Sequence, residues 1–186
     1  MKILSFRTPR DFRVWLEENH ACSEGIFLRF YKKAAGVVTV SHAQALDQAL
    51  CFGWIDGQRQ PCDEKSWLIK FTPRRDRSKW SRINTEHARR LIKSGEMTTA
   101  GLKEVETAKA DGRWGAAYQS FSTATVPDDF LKKLALNKKA MAFYQTLNKT
   151  NLYSIAYRLQ TPKRLETRDK WARKIIAMLA RGEKYH

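Results

Sequence analysis

Acidic residues are scarce in this chain: 19 Asp and Glu stand against 35 Lys and Arg in 186 residues, a net charge of +16. A surface so charged repels cationic partners and attracts polyanions. Cysteine is scarcer still, with Cys22, Cys51 and Cys62 widely spaced and no CxxC pair. That pattern excludes a disulfide framework and a zinc site, and it fits reduced thiols in the cytoplasm. No apolar run approaches the roughly 18 residues of a membrane span. The first twelve residues, broken by Arg7 and Arg10, lack the core of a secretion signal. Five prolines and nine glycines exclude fibrous and low-complexity classes. HExxH, GxSxG, GxxxxGK[ST] and GxGxxG are all missing. No metal, cofactor or catalytic residue is therefore assigned.

What is present reads as α+β. Thr8-Pro9-Arg10-Asp11 opens a helix running to about His20, and Ser41-His42-Ala43-Gln44 is a second capping box whose helix ends at Gly53. Gly25–Tyr31, Trp54–Gln58 and Lys65–Thr72 read as strands, the last two joined by a turn around Pro61 and Asp63. Beyond Pro73 the pattern is helical: a helix from just after Ser78 to Gly95, then one over 98–110. After a Ser/Thr/Ala-rich stretch at 119–126 come four more, near 128–136, 138–147, 150–160 and 165–181, separated at Asn137, Asn148 and Thr161-Pro162. The expected architecture is a small antiparallel sheet with helices in an N-terminal lobe, residues 1–125, followed by an all-helical C-terminal lobe, residues 126–186.

The positive charge is concentrated. Residues 65–93 hold ten Lys and Arg against Asp76 and Glu86, and residues 126–186 hold fourteen against five acids. Within the first cluster, Arg74 and Arg75 have forked guanidinium groups that suit phosphate or carboxylate oxygens. Ser78 and Ser81 offer donors near a helix start, and Trp80 is a ring on which a base can stack. The plainer reading makes Arg74 and Arg75 a solvated turn, Trp80 core and Ser78 a cap. In the last helix, Trp171, Ile175, Met178 and Leu179 form a core stripe, opposite Arg168, Lys170, Arg173, Lys174 and Arg181. Asp56, flanked by Gly53 and Gly57, is either a turn or ion-pair carboxylate or a general base, and it can orient an arginine of the basic loop.

At these residues the chain resembles a known family. Leu50–Gly57, Phe71-Thr72-Pro73-Arg74-Arg75 with Ser78, Trp80-Ser81 and Asn84, and Asp111-Gly112-Arg113-Trp114 are similar to the bacteriocin-protection, YdeI/OmpD-associated family. So are Tyr157, Lys163-Arg164, Glu166-Thr167-Arg168 and the helix to Gly182, with Leu165 where the family pattern has proline. The resemblance runs nearly the length of the chain. It implies a role in tolerance of bacteriocins or cationic peptides and an association with an outer-membrane porin, and it supplies no catalytic residue.

Together these readings describe a small cytoplasmic, non-enzymatic stress or envelope-tolerance protein. Its groove would be lined by Trp54, Asp56, Arg74, Arg75, Ser78, Trp80 and Asn84, and closed by Lys163, Arg164 and Arg168. Its partner would be an anionic ligand or polyanion, nucleic acid among them. The alternative is an enzyme acting on a small phosphorylated or carboxylated metabolite, with Asp56 as acid or base.

Overall fold

The computed structural model describes residues 1–119, 124–162 and 164–185. Contacts divide the chain into two compact units, Met1–Trp80 with Asn84–Gly115, and Ser81–Ile83 with Ala116–His186.

The first unit is built on a four-stranded sheet in the order β1-β2-β4-β3. β2 (Ile26–Tyr31), β3 (Trp54–Asp63) and β4 (Ser66–Pro73) are the three strands legible in the sequence, and they pair antiparallel. The addition is β1 (Ile3–Leu4), two residues that pair parallel with Phe27 and Leu28 and make the sheet mixed. In β2 the side chains alternate strictly, with Ile26, Leu28 and Phe30 turned into the core. β3 is buried only at its start; from Gly57 onward it is an exposed edge. Pro61 therefore sits inside a strand and not in the turn expected there, since an edge strand tolerates its missing N–H, and the ladder shifts register beside it. The turn lies at Glu64 and Lys65. The Asp63 carboxylate caps it by accepting from the Ser66 hydroxyl (2.7 Å) and the Lys65 N–H (2.9 Å).

Two helices close the sheet through the caps the sequence encodes. α1 (Pro9–Asn19) starts at the Thr8–Asp11 capping box and buries Phe12 and Leu16. α2 (His42–Cys51) starts at the Ser41–Gln44 box and buries Ala45, Leu46, Ala49, Leu50 and Cys51. Gly53, at φ +72°, reverses the chain after α2 into β3. α3 (Arg82–Lys93) begins later than the sequence suggested, because residues 75–78 form a turn of their own. α4 (Thr99–Ala110) is tied to the end of α2 by Thr98, whose N–H (3.2 Å) and hydroxyl (2.5 Å) both donate to the Cys51 carbonyl.

The second unit is helical: α5 (Asp128–Ala135), α6 (Lys138–Tyr144), α7 (Lys149–Gln160) and α8 (Leu165–Ala180). Asn137 and Asn148 are N-caps, each accepting a backbone N–H three residues on at 3.0 Å. Phe130, Leu134, Ile155, Leu159, Ile175 and Leu179 form the centre of its core, with Trp171 packed at the margin. Ser81 bridges to Tyr118 within this unit. Among the described residues, no helix is long and apolar enough to cross a membrane.

The approach of α4 to α2 depends on Gly101, where a Cβ would fall inside contact distance of the Cys51 carbonyl oxygen and 2.7 Å from that of Leu50. Gly101→Ala is expected to destabilise the first unit by about 2–3 kcal/mol despite alanine's better helix propensity, because rigid backbone must move. Urea unfolding checks this.

Candidate functional site

The basic segment after β4 contains two kinds of arginine. Arg74 is only 8% exposed. Its backbone N–H donates to the Gly53 carbonyl (3.0 Å), its Nη1 to the Lys79 carbonyl (3.3 Å), and its guanidinium lies 3.6 Å from the centroid of the Trp80 ring. This is a desolvated cation–π stack that fastens the end of β4 to the residues before α3. Trp80 itself is 2% exposed and packs on Trp114 at 4.9 Å between ring centroids. Trp54 is 1% exposed, edge-on to Trp15, with its indole N–H donating to the His20 carbonyl (3.2 Å). Neither tryptophan presents a face to a ligand, so the expected aromatic wall is core. Trp80 is covered by the Arg74 guanidinium and Trp114, and Trp54 by Trp15.

Ser78 is likewise absorbed by local structure. Its hydroxyl accepts the Arg75 N–H (2.9 Å), its own N–H donates to the Arg75 carbonyl (2.9 Å), and its carbonyl accepts from Arg113 Nη1 (2.9 Å). Arg77, inside that turn, has φ +70° and is the one described non-glycine residue in the left-handed region. Arg75 and Arg77 are exposed, and neither has an acidic partner among the described residues. Asn84 is half-buried on α3.

Asp56 does not orient an arginine. It sits opposite Phe71 in the β3–β4 ladder, and its Oδ2 accepts from His42 Nε2 at 2.8 Å, with both side chains partly exposed. The contact of Asp56 with His42 is the part of this arrangement that sequence reading missed. Its ring also lies 6.0 Å from Phe30, edge to face, and 6.4 Å from Phe71. The pair has the layout by which a carboxylate fixes one ring nitrogen of an imidazole and leaves the other for chemistry or binding. A second pair joins α3 to α2, where the Asp47 carboxylate receives His87 Nδ1 and Arg90 Nη2, both at 2.6 Å. Among the described residues, no group of three or more His, Cys, Asp or Glu is placed to hold a metal ion.

In the second unit, Arg168 is a strut. Its Nε donates to the Leu159 carbonyl (3.1 Å) and its Nη2 to Asp129 Oδ1 (2.6 Å), and this donation holds the Asp129 carboxyl below its ordinary range. Arg164 is the exposed N-cap residue of α8, and Lys163 lies outside the described residues.

Residues 4–104, more than half of the chain, match the family model described as a domain of unknown function, DUF8412. The chain belongs to that family. Residues 123–182 match a second model, described as Bacteriocin-protection, YdeI or OmpD-Associated. The resemblance drawn from the sequence therefore holds for the C-terminal region. The motifs at 50–57 and 71–84 fall within the DUF8412 span, which thus contains Trp54, Asp56, Arg74, Arg75, Ser78, Trp80, Asn84 and His42, while Arg164 and Arg168 fall within the YdeI/OmpD-associated span. No curated protein and no solved structure matches the chain.

Local geometry makes the Arg77 turn and the Arg168 strut testable. A side chain in the left-handed region costs about 1 kcal/mol, so Arg77→Gly should raise stability by about 0.5–1 kcal/mol, and Arg77→Val should lower it, in thermal unfolding. Removing the donor in Arg168→Ala should return the Asp129 titration, followed by NMR, to the ordinary carboxylate range. A carboxyl held low when folded stabilises the fold above its unfolded pKa. The stability gap between wild type and variant should therefore close as pH falls through the folded pKa.

Proposed function

We propose that this is a non-enzymatic binding protein that engages an anionic partner through its exposed cations, with nucleic acid as the leading polyanion. The observation that carries this reading is a charge imbalance that the fold does not resolve internally. In residues 126–186, five acids face fourteen bases, and three of those acids are already engaged: Asp129 with Arg168, Asp169 with Lys133, and Glu183 with Arg181. Lys170, Arg173 and Lys174 are exposed along α8, and Arg75 and Arg77 project from the turn in the first unit. Arg74, buried on Trp80, has no part in this surface. The YdeI/OmpD-associated match supports a role in envelope or stress tolerance. A chain of +16 would repel a cationic peptide, so protection would act through another, anionic component. Three free cysteines, two of them exposed, support a reducing compartment such as the cytoplasm.

The His42–Asp56 pair favours a second reading, an enzyme in which Asp56 orients His42 as the acid or base. Asp56→Asn would then abolish turnover of a carboxylated or phosphorylated substrate and leave its affinity intact.

The test of the first reading is fluorescence anisotropy of labelled single-stranded and duplex oligonucleotides across a salt series. Binding should weaken steeply with salt. For duplex, replacing Lys170, Arg173 and Lys174 with alanine should flatten the log–log slope by about 2–3, at roughly 0.9 for each phosphate no longer neutralised. Arg75→Ala with Arg77→Ala should also weaken binding. Affinity that is insensitive to salt, or absent near physiological salt, overturns the reading.

A further inference from the structure

One cavity in the first unit combines apolar walls with a lysine and no carboxylate in its lining, and it is independent of the basic surfaces described above. It encloses about 380 Å³ between β2 and the segment leading into α2, within the range of small-molecule sites. Phe30 and Trp67, paired across the β2–β4 ladder and stacked at 5.8 Å, form its aromatic side. Val37 and Val38 form the other; Val38 is 66% exposed, so two neighbouring aliphatic side chains stand against solvent at the rim, with half-buried Trp67 opposite them and buried Phe30 as the floor. The charged or titratable groups of the lining are Lys33, His42 and the phenol of Tyr31, and no carboxylate is among them. Arg59 adds a guanidinium 4.3 Å from the centre of the Trp67 ring. Asp56 is bonded to His42 Nε2, a position that holds the imidazole in place without joining the lining.

We propose that this cavity binds a small monocarboxylate with an aromatic or branched apolar body. The body would lie over Phe30 between Trp67 and the two valines, the carboxylate would be received by the Lys33 ammonium, and the His42 ring, with its Nε2–H taken by Asp56, would pack as part of the wall. Apolar walls account for the body and the Lys33 ammonium for the sign of the head group. Hydrogen bonds from charged donors to a carboxylate are among the stronger recognition contacts, and removing one commonly costs about tenfold in affinity.

The probe is 4-phenylbutyrate, titrated into the full chain by calorimetry and by NMR, against its neutral amide analogue. The carboxylate should bind at least tenfold more tightly than the amide, with shifts at Trp67 and Val38. Lys33→Gln should weaken the carboxylate about tenfold and leave the amide unchanged. Val38→Asp, at an exposed position that the fold does not depend on, should abolish carboxylate binding while oligonucleotide binding and thermal stability are retained. Equal affinity for acid and amide, no binding of either, or shifts confined to residues away from the cavity would each overturn the proposal. So would unchanged carboxylate affinity in Lys33→Gln.

Discussion

Phe71 is the side chain around which the first unit is arranged. It lies on β4, one of the two strands that pair on both sides, and is fully buried. Its ring meets Phe12 of α1 edge-on at 5.8 Å, Phe30 of β2 at 6.4 Å and His42 of α2 at 6.4 Å. Across the ladder it faces Asp56. One apolar ring thus sets the distances between both helices, the middle of the sheet and the His42–Asp56 pair. The imidazole is held by an apolar neighbour as much as by its carboxylate, and the partial burial that shelters that hydrogen bond from water follows from the same packing.

The basic turn shows how a concentration of like charge is tolerated next to a core. Arg74 is stacked on Trp80, where the ring face supplies some of the electrostatic compensation lost with water, and the Lys79 carbonyl supplies more. Its neighbours Arg75 and Arg77 stay in solvent, where repulsion is screened. Sequence proximity groups all three as one anion site. Burial separates them into a fastening and a surface, and only the surface presents its charge to solvent.

Elements defined by short-range rules were legible in the sequence. The capping boxes at Thr8 and Ser41, the reversal at Gly53, the breaks at Asn137 and Asn148, and the stripe of Ile175, Met178 and Leu179 all depend on neighbours within a few residues. What was not legible depends on pairing at a distance. β1 is two residues long and exists because β2 offers it an edge. Pro61 read as a turn because its place on an outer strand is set by sheet order. The His42–Asp56 contact arises because a helix that reverses into a strand runs back beside it, and a helix advances roughly 1.5 Å per residue against about 3.3 Å for a strand. A residue early in α2 therefore meets one only a few positions into β3. Trp54, Arg74 and Trp80 were recognised as a group of related positions, but composition cannot tell a ring that faces water from one that faces another ring.

The cysteines form an unequal set. Cys22 and Cys62 are exposed, whereas Cys51 ends α2 with its thiol pushed up to about 11 by burial, and its carbonyl is occupied by both donors of Thr98. At neutral pH a thiol reagent would consume the two outer groups quickly and find the third neither accessible nor ionised. Cys51 thus serves as a built-in clock for breathing of the α2–α4 junction. The slow phase of alkylation would measure how often that junction opens, at a single native site and without a label, in a protein whose six tryptophans would blur any optical report of the same event.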